Sequence, residues 1–113
     1  MYKEMKKDKN NIDIFAYLIL KSGEIIDLDL PCSDDGEIVC TNMFLDGILY
    51  TNAKKIDCSF NKISQLVSPF ATSVNCYHNN ITELNLPVVE YLKYDKDKVS
   101  VIYAPNLKDN NAN

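Results

Sequence analysis

The chain has 113 residues, 46% of them apolar, and 16 acidic against 12 basic side chains for a net charge of −4. That length fits one domain, and the apolar content excludes disorder outside the ends. No stretch approaches ~20 apolar residues, so no membrane-spanning helix is expected, and the absence of arginine disfavours nucleic acid, whose bidentate contacts are arginine's work.

The first eleven residues (MYKEMKKDKNN) are polar and lysine-rich and read as a flexible arm. Ile12–Leu20 is too short for a secretory signal, is interrupted by Asp13 and lacks a small-residue cleavage site. Residues 12–34 are expected to form a capping hairpin. Two β-branched runs, IDIFAYLILK and EIIDLDL, flank Ser22-Gly23, which is a turn signal between strands. In the second run Ile26, Leu28 and Leu30 alternate with Asp27 and Asp29, so one face is expected to be buried and the other acidic. Such a hairpin would cover the open end of whatever follows it.

From residue 35 onward the chain repeats with an 18-residue period. Residues 53–70, 71–88 and 89–106 superimpose without a gap. Ala53/Ala71/Val89, Ile56/Val74/Leu92, Cys58/Cys76/Tyr94, Asn61/Asn79/Asp97, Ile63/Ile81/Val99 and Leu66/Leu84/Ile102 recur together, and Pro69, Pro87 and Pro105 keep the same phase. Residues 35–52 read as a degenerate coil with Ile38, Cys40, Leu45 and Ile48 in phase and Met43 in place of the asparagine. A fixed period near 20 residues is the mark of a solenoid, whose units bury their apolar faces only against each other. Ile56–Cys58, Val74–Cys76 and Leu92–Tyr94 alternate as strands do, so one strand per coil predicts a parallel sheet. An inward amide at Asn61 and Asn79 can donate to and accept from neighbouring coils. Asp97 should be the weakest rung, and the prolines suit an extended, polyproline-like outer wall. Residues 107–113 read as a flexible tail, leaving the last strand's edge open to another molecule.

This pattern resembles the leucine-rich repeat family in its short bacterial and viral form. The second unit matches best, with Ala71, Val74, Cys76, Asn79, Ile81, Leu84 and Pro87 at the family's positions, whereas the third puts Tyr94 and Asp97 for Cys and Asn. The resemblance implies a mainly β solenoid with a concave strand face that binds a protein partner. At 18 residues the unit leaves no room for an outer helix.

Three of the four cysteines, Cys40, Cys58 and Cys76, are spaced by the repeat and not as metal ligands. A small thiol packs well at that inward position, whereas a zinc site would need close pairs. Reduced thiols imply a cytoplasmic setting, the host's if the protein is viral. The asparagine-rich, arginine-free composition suggests an AT-rich genome, as in a phage, a large virus or a low-GC bacterium. No nucleophile–base pair, phosphate loop or metal spacing is present, so neither an enzyme nor a cofactor is expected.

Three functions remain. The first is an interaction module binding a protein through the outward strand row: Lys55, Asp57, Ser59 and Phe60, then Ser73, Asn75, Tyr77 and His78, then Tyr91, Lys93, Asp95 and Lys96. Of these Phe60, Asn75, Tyr77, His78, Tyr91 and Lys93 are the candidate contacts, because exposed aromatics among polar groups make hot spots. The second is an inhibitor of a basic, nucleic-acid-handling protein. Its motive is the acid-rich run 22–53, with Asp27, Asp29, Asp34, Asp35 and Glu37 as the patch. The third is a structural subunit that stacks as a homo-oligomer through the C-terminal edge.

Overall fold

The computed structural model describes residues 6–112, so the expectations for Met1–Met5 and Asn113 lie outside it. The protein is mainly β, a solenoid of stacked coils with no helix among the described residues. One wall is a five-stranded parallel sheet of β3 (Glu37–Val39), β5 (Lys55–Asp57), β7 (Ser73–Asn75), β9 (Tyr91–Tyr94) and β11 (Asp109–Ala112). Its register is the repeat itself: Ile38 lies beside Ile56, Ile56 beside Val74, and Val74 beside Leu92. These four side chains point inward and are at most 2% exposed, as are Cys40, Cys58 and Cys76 one strand-period further on.

The opposite wall holds β4 (Asp46–Thr51), β6 (Lys62–Val67), β8 (Glu83–Asn85) and β10 (Val101–Tyr103). The outer wall is therefore strand over much of its length and not polyproline-like. The prolines stand in the turns that follow it. Ala71 N–H donates to Ser68 C=O, Val89 N–H to Leu86 C=O and Leu107 N–H to Ala104 C=O, which places each proline at the second position of a β-turn, where its fixed φ belongs.

The hairpin forms as expected, with β1 (Ala16–Ile19) antiparallel to β2 (Ile25–Asp27) around Gly23 at φ 90°. Its other edge pairs antiparallel with β4, giving the order β2-β1-β4-β6. Ile14, Ala16 and Leu18 thereby close the core of the first coil. The second strand differs from expectation. Ile26 is exposed, and only Leu28 and Leu30 pack partly against the core, because β2 is an edge strand lying beyond the coil. Gly47 marks the crossing. A Cβ there would stand 2.3 Å from the Ile19 carbonyl oxygen, at φ 140°, so only glycine lets β1 approach. The β4–β6 register slips beside it, so that Leu49 and not Ile48 sits opposite Leu66. Leu49 fills the core position expected of Ile48.

The asparagine ladder is present at both predicted rungs. Asn61 Oδ1 accepts the N–H groups of Met43 and Leu45, each at 3.0 Å, while Nδ2 donates to the Cys40 and Cys58 carbonyls at 2.9 and 3.1 Å. Asn79 Oδ1 accepts from Ile63 N–H at 2.9 Å, and its Nδ2 donates to the Cys58 and Cys76 carbonyls at 2.9 and 3.2 Å. The third rung departs from expectation: Asp97 is exposed. Asp95 Oδ2 accepts from Asn79 N–H at 3.1 Å, and Lys98 Nζ donates to the Asn79 carbonyl at 2.8 Å. An ionised carboxylate cannot supply both halves of an amide rung, and the acid and base, three residues apart in one turn, bond the backbone of Asn79 and not the groups an amide at 97 would serve.

Residues 6–11 and 107–112, the described parts of the expected arm and tail, are more ordered than the composition suggests. Asp109–Ala112 adds a strand to the parallel sheet, so residues 109–112 of the expected tail extend the ladder and the edge of β9 is covered. In the expected arm, Asp8 is buried, its Oδ1 accepting from Asn10 and Ile12 N–H at 2.9 and 3.0 Å and its Oδ2 facing Lys54 Nζ at 3.5 Å. The Ile12 N–H, opposed by desolvation and helped by Asn10 and Lys54, holds this carboxyl below its ordinary range. Among the described residues no helix is long and apolar enough to cross a membrane.

Candidate partner-binding face and rim

The outward positions of the parallel sheet form two rows. One runs Glu37, Lys55, Ser73, Tyr91, Asp109 and the other Val39, Asp57, Asn75, Lys93. Small and amide side chains at the middle of the sheet leave a shallow depression of ≈ 230 Å³ lined by Asp57, Ser73, Asn75, Tyr91 and Lys93, with Glu37 at one end. Tyr91 is 50% exposed and stands over it. Of the predicted contacts, Asn75, Tyr91 and Lys93 therefore meet on the strand face.

Phe60, Tyr77 and His78 do not lie on strands. They sit on the turns just beyond the C-terminal ends of β5 and β7, a rim that continues the same face. Short polar side chains lock each strand exit. Asp57 Oδ1 accepts from both the N–H and the hydroxyl of Ser59, at 3.2 and 2.7 Å, and Asn75 Oδ1 accepts from Tyr77 N–H at 3.2 Å. Ser59, expected to face outward, is consequently buried. The next residue turns left-handed in three successive coils: Asn42 at φ 56°, Phe60 at φ 60° and His78 at φ 58°. Backbone bonds from Asn42 N–H to Ser59 C=O and from Phe60 N–H to Tyr77 C=O tie these turns together.

Asparagine and histidine are among the side chains found in that conformation, but phenylalanine pays a backbone strain of roughly 1–3 kcal/mol. Their rings stack across the coils, with centroids 4.3 Å apart and planes 21° from parallel. The Tyr77 ring is tilted against His78 at 6.2 Å. Phe60 nevertheless remains 54% exposed.

Sequence reasoning missed Phe44, at 84% the most exposed large apolar side chain among the described residues, and its neighbour Met43 at 43%. Phe44 is also left-handed, at φ 58°. Its position follows from the ladder: Met43 and Leu45 both donate to Asn61 Oδ1, so the residue between two anchored amides is thrown outward beside the turn carrying Phe60. Nothing in the repeat phase marks Phe44. The only available signal was that Asn61 needed partners in the coil before it.

The acidic residues are partly engaged. Asp27 Oδ1 accepts from Asp29 N–H, Asp29 is ion-paired to Lys6 at 2.6 Å, and Asp35 to Lys9 at 3.4 Å. Asp34 offers its carbonyl to Lys9 N–H, while Glu37 belongs to the parallel sheet. The lysine-rich segment thus lies along the acid-rich one. The cysteines are free. Burial pushes the Cys40 and Cys76 thiols up to about 12 and raises Cys58 well above its ordinary range, which makes them inert packing groups. Among the described residues no group of three or more His, Cys, Asp or Glu side chains is placed to hold a metal.

No protein-family model, curated protein or solved structure matches this chain.

Proposed function

We propose that this protein is a non-enzymatic binding module of leucine-rich-repeat type that takes one protein partner on the rim of its parallel sheet. The observation that carries the reading is the stacked pair Phe60 and His78, with Phe44 exposed in the coil before, where exposed aromatic surface and left-handed backbone coincide. The stack joins two coils but leaves Phe60 54% exposed in the free protein. A partner that buries the aromatic faces recovers the apolar surface, and a few such anchors dominate binding energy. The strand face with Tyr91, Asn75 and Lys93 supplies the polar margin. Buried reduced thiols fit a cytoplasmic setting. The inhibitor reading draws less support, since the acids it needs are partly offset by Lys6 and Lys9.

The test is affinity capture of the partner from the native lysate, then titration of the purified partner against single variants. Phe44→Ala and Phe60→Ala should each weaken binding about 30-fold, a loss of about 2 kcal/mol, with thermal midpoints near wild type. The double change Asp27→Asn/Asp29→Asn should alter affinity less than twofold. Wild-type affinity in both phenylalanine variants would overturn the rim as the site. A steep salt dependence abolished by the Asp changes would restore the inhibitor reading.

A further inference from the structure

The wall opposite the rim's sheet carries a second open surface, on the outward side of β6, β8 and β10. In the phase of the repeat, Gln65, Glu83 and Val101 form one row and Val67, Asn85 and Tyr103 the next. The β8–β10 register agrees, with Val101 beside Glu83 and Tyr103 beside Asn85. These side chains border a hollow of ≈ 680 Å³ in which Glu83 is the only charged lining residue. Tyr103 and Val101 are exposed. The side chains of Gln65, Glu83, Asn85 and Tyr103 make no hydrogen bond or ion pair among the described residues. Asp57, Asp95 and Glu90 differ, since Ser59, Asn79 and Lys108 engage their carboxylates.

One unopposed carboxylate selects a cation, and the groups around it select which one. An ammonium is a compact, strongly hydrated point charge. A guanidinium is planar and weakly hydrated, takes a carboxylate through two parallel N–H bonds and lays its face on an aromatic ring. Glu83 and Tyr103 are diagonal neighbours on paired strands, about 7–8 Å apart. A planar cation between them is within hydrogen-bond reach of the first and within ~6 Å of the ring of the second. We propose that this hollow binds an arginine side chain presented by a peptide. The Glu83 carboxylate accepts two of its N–H groups, and the amide oxygens of Gln65 and Asn85 accept from those that remain. Tyr103 stacks on the guanidinium plane, and Val67 and Val101 cover the methylene stem. The ligand lies on the outward face, so no strand moves to admit it. The site is on the other wall from the rim and does not depend on the function proposed above.

Titration of the full chain with N-acetyl-arginine methylamide, followed in ¹H–¹⁵N spectra, tests this. The side-chain amides of Gln65 and Asn85 and the backbone amides of residues 83–85 and 101–103 should shift and saturate together. The citrulline counterpart has the same shape without the charge and should bind about fivefold more weakly. The lysine counterpart should be about threefold weaker. Glu83→Gln should weaken arginine binding about fivefold and Tyr103→Ala about threefold, whereas Tyr103→Phe keeps the ring and should stay within about twofold. Phe60→Ala should bind as wild type does, and the dispersion of each variant's spectrum checks that it is folded. Free L-arginine, whose α-carboxylate Glu83 repels, should bind more weakly than the capped residue. The proposal fails if none of these resonances shifts or if the shifts collect at Asp57 or along residues 27–37 instead. It fails equally if the citrulline compound binds as well, if Glu83→Gln retains wild-type affinity, or if free arginine binds more tightly than the capped residue.

Discussion

The two walls of this solenoid obey the same 18-residue repeat with different fidelity. The parallel sheet from β3 to β11 keeps that register through five strands without a slip. The outer wall slips between β4 and β6 and parts between β6 and β8. The inner wall is clamped twice per coil, by an inward aliphatic on the strand and by an asparagine just after it. Outer strands rely mainly on inward aliphatics, Leu49, Ile63, Leu66, Leu84 and Ile102. One of them, β4, must also match an antiparallel partner from the hairpin. A hydrophobic repeat brings a wall together, but a buried polar group with a single geometry fixes its register.

The sharpest way to break that comparison is to remove a clamp. Asn61→Ala and Asn79→Ala should each destabilise the protein by about 3 kcal/mol, since each leaves several buried backbone groups unpaired. Exposed Asn80 is the control, and Asn80→Ala should stay within about 0.5 kcal/mol. Chemical denaturation of the three variants decides it, and equal midpoints would remove the amide rungs from the account. Gly47→Ala should follow, at about 2 kcal/mol, because its Cβ would meet the Ile19 carbonyl at 2.3 Å. That loss should appear as fast amide exchange in β1 and β2 while β5 to β9 stay protected.

The inward thiols give a gentler, pH-dependent test of the inner wall. Cys40 and Cys76 titrate in the fold at about 12 against an ordinary 9.0. Their contribution to stability is therefore fully present below pH ~9 and is lost as pH climbs towards 12. Thermal midpoints should fall across that window, and Cys58 and Cys76 should resist alkylation at pH 8 until the chain is unfolded. The smallest effect is expected at Asp97→Asn. Restoring the repeat's asparagine should move stability by no more than about 0.5 kcal/mol, because position 97 is exposed and stands outside the ladder. A gain above about 1 kcal/mol would show that an asparagine there reaches the ladder.

The parallel wall was legible because its determinants are local and periodic: Ile56, Val74 and Leu92 announce the strands, and Asn61 and Asn79 the turns. What escaped were effects that one coil imposes on another. Leu49 replaces Ile48 because the hairpin pulls β4 out of phase, and Ser22-Gly23 says nothing about where that hairpin will dock. Ser59 is buried because Asp57 captures it, although alternation points it outward. Residues 109–112 keep the strand phase, yet Asp109, Asn110 and Asn111 hide it from any reading by hydrophobicity. Of the candidate site, Phe60, Tyr77, His78 and Tyr91 could be named from the pattern. The left-handed turns that present Phe60 and His78, and the exposure of Phe44 in the coil before, depend on bonds between coils that no local pattern encodes.

Each ladder asparagine reaches towards the N-terminal side, Asn61 to Cys40 and Asn79 to Cys58. A coil thus carries the fastener for its junction with its predecessor and the socket for its successor's. This makes the coil a unit of duplication. A tandem copy of residues 71–88 would arrive with its own rung and meet matching carbonyls on the coil before it, so the array can lengthen by whole periods without redesign. Residues 89–106 lack the asparagine and would copy poorly. Growth of such an array is therefore expected at its middle and not at its last full coil, and an expression library of inserted coils would show which seam accepts them.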